Sequence, residues 1–70
     1  EQRVASFLLD EAARTGSDAV RVTQEQLAQA IGSAREAVSR TLKKLERQGL
    51  VTVERGAVRL ADRPALYRLL

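Results

Sequence analysis

The sequence "VTQEQLAQAIGSAREAVSRTLKKLERQGLV", residues 22–51, contains two helical patterns separated by one glycine. Thr23 is a residue type favoured at helix N-caps, and Gln26 stands three positions later, as in a capping box. The first pattern therefore predicts a helix over residues 24–31. Gly32 is expected to end this helix, because glycine tolerates the left-handed conformation that a tight turn needs.

The second pattern predicts a helix over residues 34–48 with one packing face. Ser33 is expected to be its N-cap, with Glu36 at the capping-box position. With about 3.6 residues per turn, one arc of this helix collects its small and apolar residues, which are Ala34, Ala37, Val38, Thr41, Leu42 and Leu45. The opposite side is polar and mostly basic, with Arg35 at its flank and Glu36, Ser39, Arg40, Lys43 and Arg47 on it.

The net charge of +3 is concentrated on the second helix. Residues 35–47 hold five basic and two acidic residues, and the seven basic and seven acidic residues elsewhere cancel. Clustered basic charge on one helix is typical of nucleic-acid binding. A solvated, charged helix face is the alternative explanation of the same pattern.

A β-hairpin is predicted directly after the two helices. Val51 and Val53 alternate with polar residues, and Val58 and Leu60 do the same after a turn at Arg55-Gly56. A fold at that turn places Val53 opposite Val58 and Val51 opposite Leu60, all on one face. Gly56 supplies a positive φ, while an arginine is not the favoured first turn residue, so a bulged turn is an alternative.

The chain ends supply the remaining elements. Apolar residues at helical spacing predict a first helix over residues 2–14, ended by Gly16. The sequence "AVRV" at 19–22 predicts a short strand. Asp62 is expected to cap a last short helix, with Pro64 in its first turn. The apolar residues of that helix are Leu66, Leu69 and Leu70.

The order of these elements predicts the fold class and a function. Two helices joined only by a glycine turn must cross steeply, and a hairpin follows them. The expected fold is mainly α with a small β component (α+β), a winged helix-turn-helix, and residues 1–70 form one domain. In this arrangement the second helix enters the major groove of DNA, where base edges present a readable pattern. We therefore predict sequence-specific binding of double-stranded DNA.

A winged helix can instead act as a protein–protein interaction module, and that function is the alternative for this chain. Such a surface needs apolar anchors on the exposed face of the second helix. The polar side of residues 35–47 carries none. DNA binding is therefore the preferred prediction.

The composition excludes several other classes of function. The chain has no cysteine and no histidine, which excludes disulfides, thiolate chemistry and the usual zinc sites. It has no Gly-rich phosphate loop and no paired buried carboxylates, so we expect no enzyme and no cofactor in this domain. No apolar run approaches the roughly 18 residues of a membrane span. The reducing cytoplasm is the expected location.

The sequence of residues 22–51 resembles the DNA-binding domain of the Crp/Fnr (cyclic-AMP receptor and fumarate-nitrate regulator) family of bacterial transcription regulators. The resemblance rests on T-x-x-x-L-A-x-x-I-G at 23–32, R-E-A-V-S-R at 35–40 and L-x-x-L-x-x-x-G-L-V at 42–51. Thr41 departs from the family pattern, in which a larger aliphatic residue is usual. A slightly looser contact between the two helices is therefore expected.

The resemblance implies roles for individual residues. It implies base contacts in DNA by Arg35, Glu36, Ser39 and Arg40. It implies phosphate contacts by Thr23, Gln24 and Ser33. From the charge and position of the residues themselves, we add Lys43 and Arg55 as phosphate contacts, the first on the polar helix face and the second at the hairpin tip.

The resemblance also implies the partners of the protein. Members of the family carry a sensor domain and a dimerisation helix before this domain, so we expect the chain to be a fragment of a longer regulator. The full-length protein would bind an inverted-repeat operator as a homodimer, and the fragment would be a monomer. RNA polymerase is a further partner that the resemblance allows.

Overall fold

Four helices and three strands follow one another in the predicted order. The computed structural model describes all residues from 1 to 70. The elements are α1 (Gln2–Thr15), β1 (Ala19–Val20), α2 (Gln24–Ile31), α3 (Arg35–Arg47), β2 (Val51–Glu54), β3 (Ala57–Leu60) and α4 (Arg63–Tyr67). The predicted winged helix-turn-helix, mainly α with a small sheet, is confirmed.

The start and end of α2 are those that its sequence predicts. The Thr23 hydroxyl accepts a hydrogen bond from the Gln26 backbone N–H at 3.0 Å, and the Gln26 side chain accepts one from the Thr23 N–H at 2.9 Å. These two bonds form the predicted capping box. At the other end Gly32 adopts a φ of 68°, and the N–H of Ser33 donates back to the Ala28 carbonyl at 2.9 Å.

The start of α3 differs from the prediction. The N-cap is Ala34, which makes no side-chain cap, and the helix begins at Arg35. The predicted capping by Ser33 and the capping-box position of Glu36 are therefore wrong. Ser33 belongs to the turn that closes α2, because its N–H is bonded within that helix end, so α3 starts one residue later than its sequence suggests.

The hairpin has the predicted register and also gains a third strand. Val51 lies opposite Leu60 and Val53 opposite Val58 in an unbroken antiparallel ladder, so no bulge interrupts the pairing. Gly56 has a φ of 71°, and no residue other than glycine has a positive φ. The predicted strand at 19–22 is shorter, covering Ala19–Val20, and pairs with β3. The wing is therefore part of a three-stranded sheet in the order β1-β3-β2 rather than a two-stranded hairpin.

The core lies between α1, the helix-turn-helix and the sheet. All 17 buried residues are hydrophobic, and no buried polar side-chain atom lacks a hydrogen-bond partner. α1 contacts α2, α3, α4 and β1. It buries one face, formed by Val4, Ala5, Leu8, Leu9 and Ala12. Because the interior is wholly apolar, the polar residues of α3 are left for the surface.

The last helix closes the core through Leu66. The Asp62 side chain accepts from the Ala65 N–H at 3.1 Å, which confirms the predicted cap. Leu66 is fully buried, and Leu69 packs partly against the core. Leu69 and Leu70, predicted as apolar residues of this helix, lie beyond its end at Tyr67, and Leu70 is 55% exposed.

Replacing Thr23 with alanine is expected to lower the free energy of unfolding by about 0.5–2 kcal/mol, because the Gln26 amide loses its cap. Urea unfolding followed by circular dichroism measures this change. The matched control is Ser33→Ala, which removes a hydroxyl that caps no helix and should change stability by no more than about 0.5 kcal/mol. An equal or larger loss in Ser33→Ala would contradict the assigned caps.

Candidate nucleic-acid interface

The first turns of α3 stand clear of the core. Arg35, Glu36 and Arg40 are exposed, whereas Val38 and Leu45 on the other side of the helix are at most 1% exposed. Glu36 and Arg40 stand four residues apart on one face, but neither forms an ion pair, and neither does Arg35. These three side chains are therefore free to contact a ligand outside the domain.

Most basic side chains around α3 have no acidic partner. Lys44 is the exception within the helix, with its Nζ 3.1 Å from a carboxylate oxygen of Glu1. In the sheet, Arg59 is paired with Glu54 at 3.2 Å. The exposed bases without an ion pair include Arg35, Arg40, Lys43, Arg47 and Arg55. Their positive charge is available to an external anion.

A cleft of about 350 Å³ separates the start of α2 from the wing. Its lining includes Thr23 and Gln24 at the α2 N-terminus, Arg35 from α3 and Arg55 from the wing tip. Four of the predicted DNA-contact residues thus surround one opening. Glu25 and Glu54 line the same opening, so its two arginines stand beside two carboxylates, of which that of Glu54 is paired with Arg59.

Ser33 lies apart from that group. It is half-buried and lines a second cleft, of about 380 Å³, between the start of α1 and the two central helices. Thr41 and Ala37 line the same cleft. The structure therefore brings Thr23 and Gln24 together with Arg35 and Arg55, but not with Ser33.

Ser39 occupies a different setting from the other predicted base contacts. It is half-buried, and its hydroxyl donates a hydrogen bond to the Oε1 atom of Gln24, which is also half-buried. This bond joins the first residue of α2 to the middle of α3. The sequence placed both residues in the contact set but contained no sign that they touch each other.

Glu46 holds the wing against α3, a role that the sequence did not reveal. Its carboxylate accepts a hydrogen bond from the backbone N–H of Val53 at 2.9 Å. Val53 lies on β2, an edge strand of the sheet, whose outward N–H groups have no partner strand. The contact occupies one of those groups and sets the wing, with Arg55 at its tip, beside α3. The signal available in the sequence was that Glu46 is an acidic residue among the basic residues at the end of α3.

The shifted pKa values lie outside this face. Arg14 donates to Glu11 at 2.7 Å. This hydrogen bond lowers the pKa of the Glu11 carboxyl and raises the pKa of Arg14. The pair is local to the end of α1 and includes none of the predicted DNA-contact residues.

The structure shows no feature of several other kinds of site. No group of three or more acidic side chains is placed to hold a metal ion, and none of the four helices has the length and apolarity needed to cross a membrane. The exposed large hydrophobic residues are Tyr67 and Leu70, at the C-terminal end of the chain. The exposed side of α3 therefore carries no apolar anchor for a protein partner.

Residues 2–69 match the Crp-like helix-turn-helix domain family. The chain belongs to this family. The family membership confirms the resemblance that the sequence motifs predicted, and it covers all elements from α1 to α4.

Other members of the Crp-like family resemble the chain in sequence and in fold. The nitrogen fixation regulation protein FixK of Azorhizobium caulinodans is 44% identical across 99% of this chain. The transcriptional regulatory protein btr of Bordetella pertussis is 32% identical across all of it. A crystal structure of a crp/fnr-family regulator from Eubacterium rectale superposes with a TM-score of 0.93 at 38% identity over 97% of the chain. The crystal structure of the Thermus thermophilus catabolite activator protein superposes with a TM-score of 0.86 at 32% identity over 97% of the chain.

The chain spans about a third of the length of these relatives, 32% in each case. By their names, the Bordetella and Eubacterium proteins are regulators of transcription, and FixK is a regulator of nitrogen fixation. The prediction that the chain is not an enzyme is confirmed on that ground. A Crp-like helix-turn-helix domain is a DNA-binding domain of transcription regulation, and the exposed basic face of α3 agrees with that role.

Replacing Glu46 with alanine is expected to speed amide hydrogen exchange at Val53, because that N–H loses its acceptor and faces water. Exchange measured by NMR in the absence of DNA reports this residue by residue. Glu46→Gln is the matched control, since its side-chain oxygen still accepts, and it should keep most of the protection. Unchanged exchange at Val53 in Glu46→Ala would show that the carboxylate does not hold the wing.

Proposed function

We propose that this domain binds double-stranded DNA sequence-specifically, with α3 lying in the major groove. The observation that carries the proposal is the exposed, unpaired group of Arg35, Glu36 and Arg40 on the first turns of α3. The major groove is about 12 Å wide and admits one α-helix. The buried side of α3 anchors the helix in the domain while the opposite side faces the bases.

The chemistry of the three residues suits base edges. An arginine donates two parallel hydrogen bonds to the O6 and N7 atoms of guanine, and a glutamate accepts from the N4 amino group of cytosine. We assign Arg35, Glu36 and Arg40 to such contacts, with Ser39 beside them as a fourth. Each well-formed pair between a side chain and a base would favour the correct base over a wrong one by about 1–3 kcal/mol of binding free energy.

Phosphate contacts would hold the domain in position along the duplex. We assign them to Thr23, Gln24, Ser33, Lys43 and Arg55. Gln24 and Arg55 line the cleft between α2 and the wing, and Lys43 is exposed on α3. These contacts carry no sequence information themselves but fix register and orientation. Ser33 is the outlying member, because it lines a separate cleft.

The function of the whole regulator is part of the same proposal. We propose that the domain acts within a homodimer on an inverted-repeat operator, which would place one copy of α3 in each half-site. RNA polymerase is a proposed partner of that dimer. Effector sensing would lie outside residues 1–70, which would need no cofactor of their own, and binding to the chromosome would place the protein in the cytoplasm.

Titration of a labelled duplex at two or more salt concentrations tests the DNA-binding part of the proposal. Affinity is expected to fall linearly on a log–log plot, with a slope near −0.9 for each phosphate neutralised. Selection from a random duplex pool then tests sequence specificity. A flat salt response, or a pool from which no sequence is enriched, would overturn the proposal.

Individual substitutions separate base contacts from phosphate contacts. Arg35→Ala and Arg40→Ala are each expected to cost about 1–3 kcal/mol on the selected duplex and to relax the preference at one base pair. Lys43→Ala should weaken all duplexes alike and reduce the salt slope by about 1. If Arg35→Ala and Arg40→Ala kept the parent's preferred sequence, their assignment to bases would be wrong.

A further inference from the structure

We propose that Gln24 is a positioning residue for base reading, and that it does this by fixing the direction of the Ser39 hydroxyl. The inference rests on the proposed function, since it concerns how α3 reads bases. It assigns one side chain at the start of α2 to two tasks. One task is a contact with phosphate, and the other is control of a base contact made by a different helix.

The hydrogen-bonding capacity of serine is the first step. A serine hydroxyl has one proton to donate and two lone pairs that accept. In this domain the Ser39 proton is committed to Oε1 of Gln24. The oxygen of Ser39 is then left as an acceptor only. It can bind an amino group at a base edge, adenine N6 or cytosine N4, but not the acceptor atoms of guanine or thymine.

The amide group of Gln24 can bind Ser39 and a phosphate at the same time. Its oxygen accepts a hydrogen bond from Ser39, and its NH2 group donates no hydrogen bond within the domain. Gln24 lines the cleft that Arg35 and Arg55 also line, together with Glu25 and with Glu54, which is paired with Arg59. A phosphate oxygen in that cleft would accept from the free amide protons, and such a bond would hold the amide with its oxygen toward Ser39. The phosphate contact and the base contact would therefore reinforce each other.

Burial supports this coupling over two independent contacts. Ser39 and Gln24 are both half-buried, whereas the neighbouring contact residues Arg35, Glu36 and Arg40 are exposed. A short side chain in a partly closed setting has few alternative hydrogen-bond partners. Removing the Gln24 acceptor would free the Ser39 hydroxyl to rotate, so that it could donate as well as accept.

The test is selection from a random duplex pool, followed by affinity measurements, with five proteins: the parent, Ser39→Ala, Gln24→Ala, Gln24→Glu and Lys43→Ala. Ser39→Ala identifies the base pair that Ser39 reads, as the position where preference relaxes, by roughly 2–10-fold for one hydrogen bond. Gln24→Ala is expected to relax the same base pair and to weaken binding to every duplex. Lys43→Ala, the matched phosphate-contact control, should weaken binding while leaving that preference as it is in the parent.

Gln24→Glu separates the two tasks. Its carboxylate still accepts the Ser39 proton, so the preference at that base pair should be retained, while its negative charge facing phosphate should lower affinity for every duplex. An acidic residue in the first turn of a helix is also favourable for folding, so this variant remains informative if Gln24→Ala does not fold. Thermal unfolding of each variant checks its folded state.

Base analogues test the acceptor-only role of Ser39. Replacing adenine by purine, or cytosine by 2-pyrimidinone, removes the amino group at the identified base pair. The parent should lose roughly 2–10-fold in affinity, and Ser39→Ala should lose nothing further. A parent indifferent to the missing amino group would overturn the inference.

Two further results would overturn the inference. One is that Gln24→Ala keeps the parent's preference at the base pair that Ser39 reads, as the control Lys43→Ala should. The other is that Gln24→Glu relaxes that preference as far as Gln24→Ala does. These failures differ from failure of the proposed function. In the latter case the parent itself would enrich no sequence, whereas here the parent enriches a sequence and only the Gln24 variants depart from expectation.

Discussion

The turn at Gly32 is the constraint on which the rest of the structure depends. Its left-handed backbone, with a φ of 68°, lets the chain reverse within three residues between α2 and α3. The Ser33 N–H returns to the Ala28 carbonyl and completes the end of α2. α3 therefore begins directly beside the end of α2. Arg35 and Glu36 at its start are exposed, whereas Leu42 and Leu45 further along it are buried. A longer or more flexible connection would not hold the exposed first turn of α3 in one place.

The core residues and the candidate contact residues form separate sets in this domain. Its interior consists of 17 hydrophobic residues and contains no charged or polar one, because a domain of this size cannot compensate a buried charge with many further contacts. All polar chemistry is therefore on the surface. The exceptions to a strict separation are Gln24 and Glu46, since each uses its side chain to join two structural elements and also lies in or beside the basic face.

The sequence predicted the parts of the fold that follow from local spacing. The hairpin register was predictable because an alternating pattern on two strands admits only one pairing that buries Val51, Val53, Val58 and Leu60 together. The end of α2 was predictable because Gly32 marks it. The start of α3 was not, because Ser33 and Ala34 compete for the cap and the outcome depends on how α2 terminates.

The parts that were not predicted depend on contacts between distant segments. The pairing of β1 with β3 joins residues about 40 positions apart, and no local pattern encodes it. The same holds for Ser39 with Gln24 and for Glu46 with Val53. The sequence therefore predicted a set of candidate contact residues, through their charge and family motif, but not which side chains touch one another.

Basic side chains that form no ion pair can bind an anion without first giving up another contact. An arginine already bound to a carboxylate, such as Arg59 with Glu54, must give up that contact when it binds phosphate, at a cost of up to about 1 kcal/mol for an exposed pair. Arg35, Arg40, Lys43 and Arg55 form no ion pair, so binding an anion would release only counterions and water. The single ion pair within α3 joins Lys44 to Glu1 of the α1 end. Lys44 is not among the predicted contact residues, so this pair leaves their charges unneutralised.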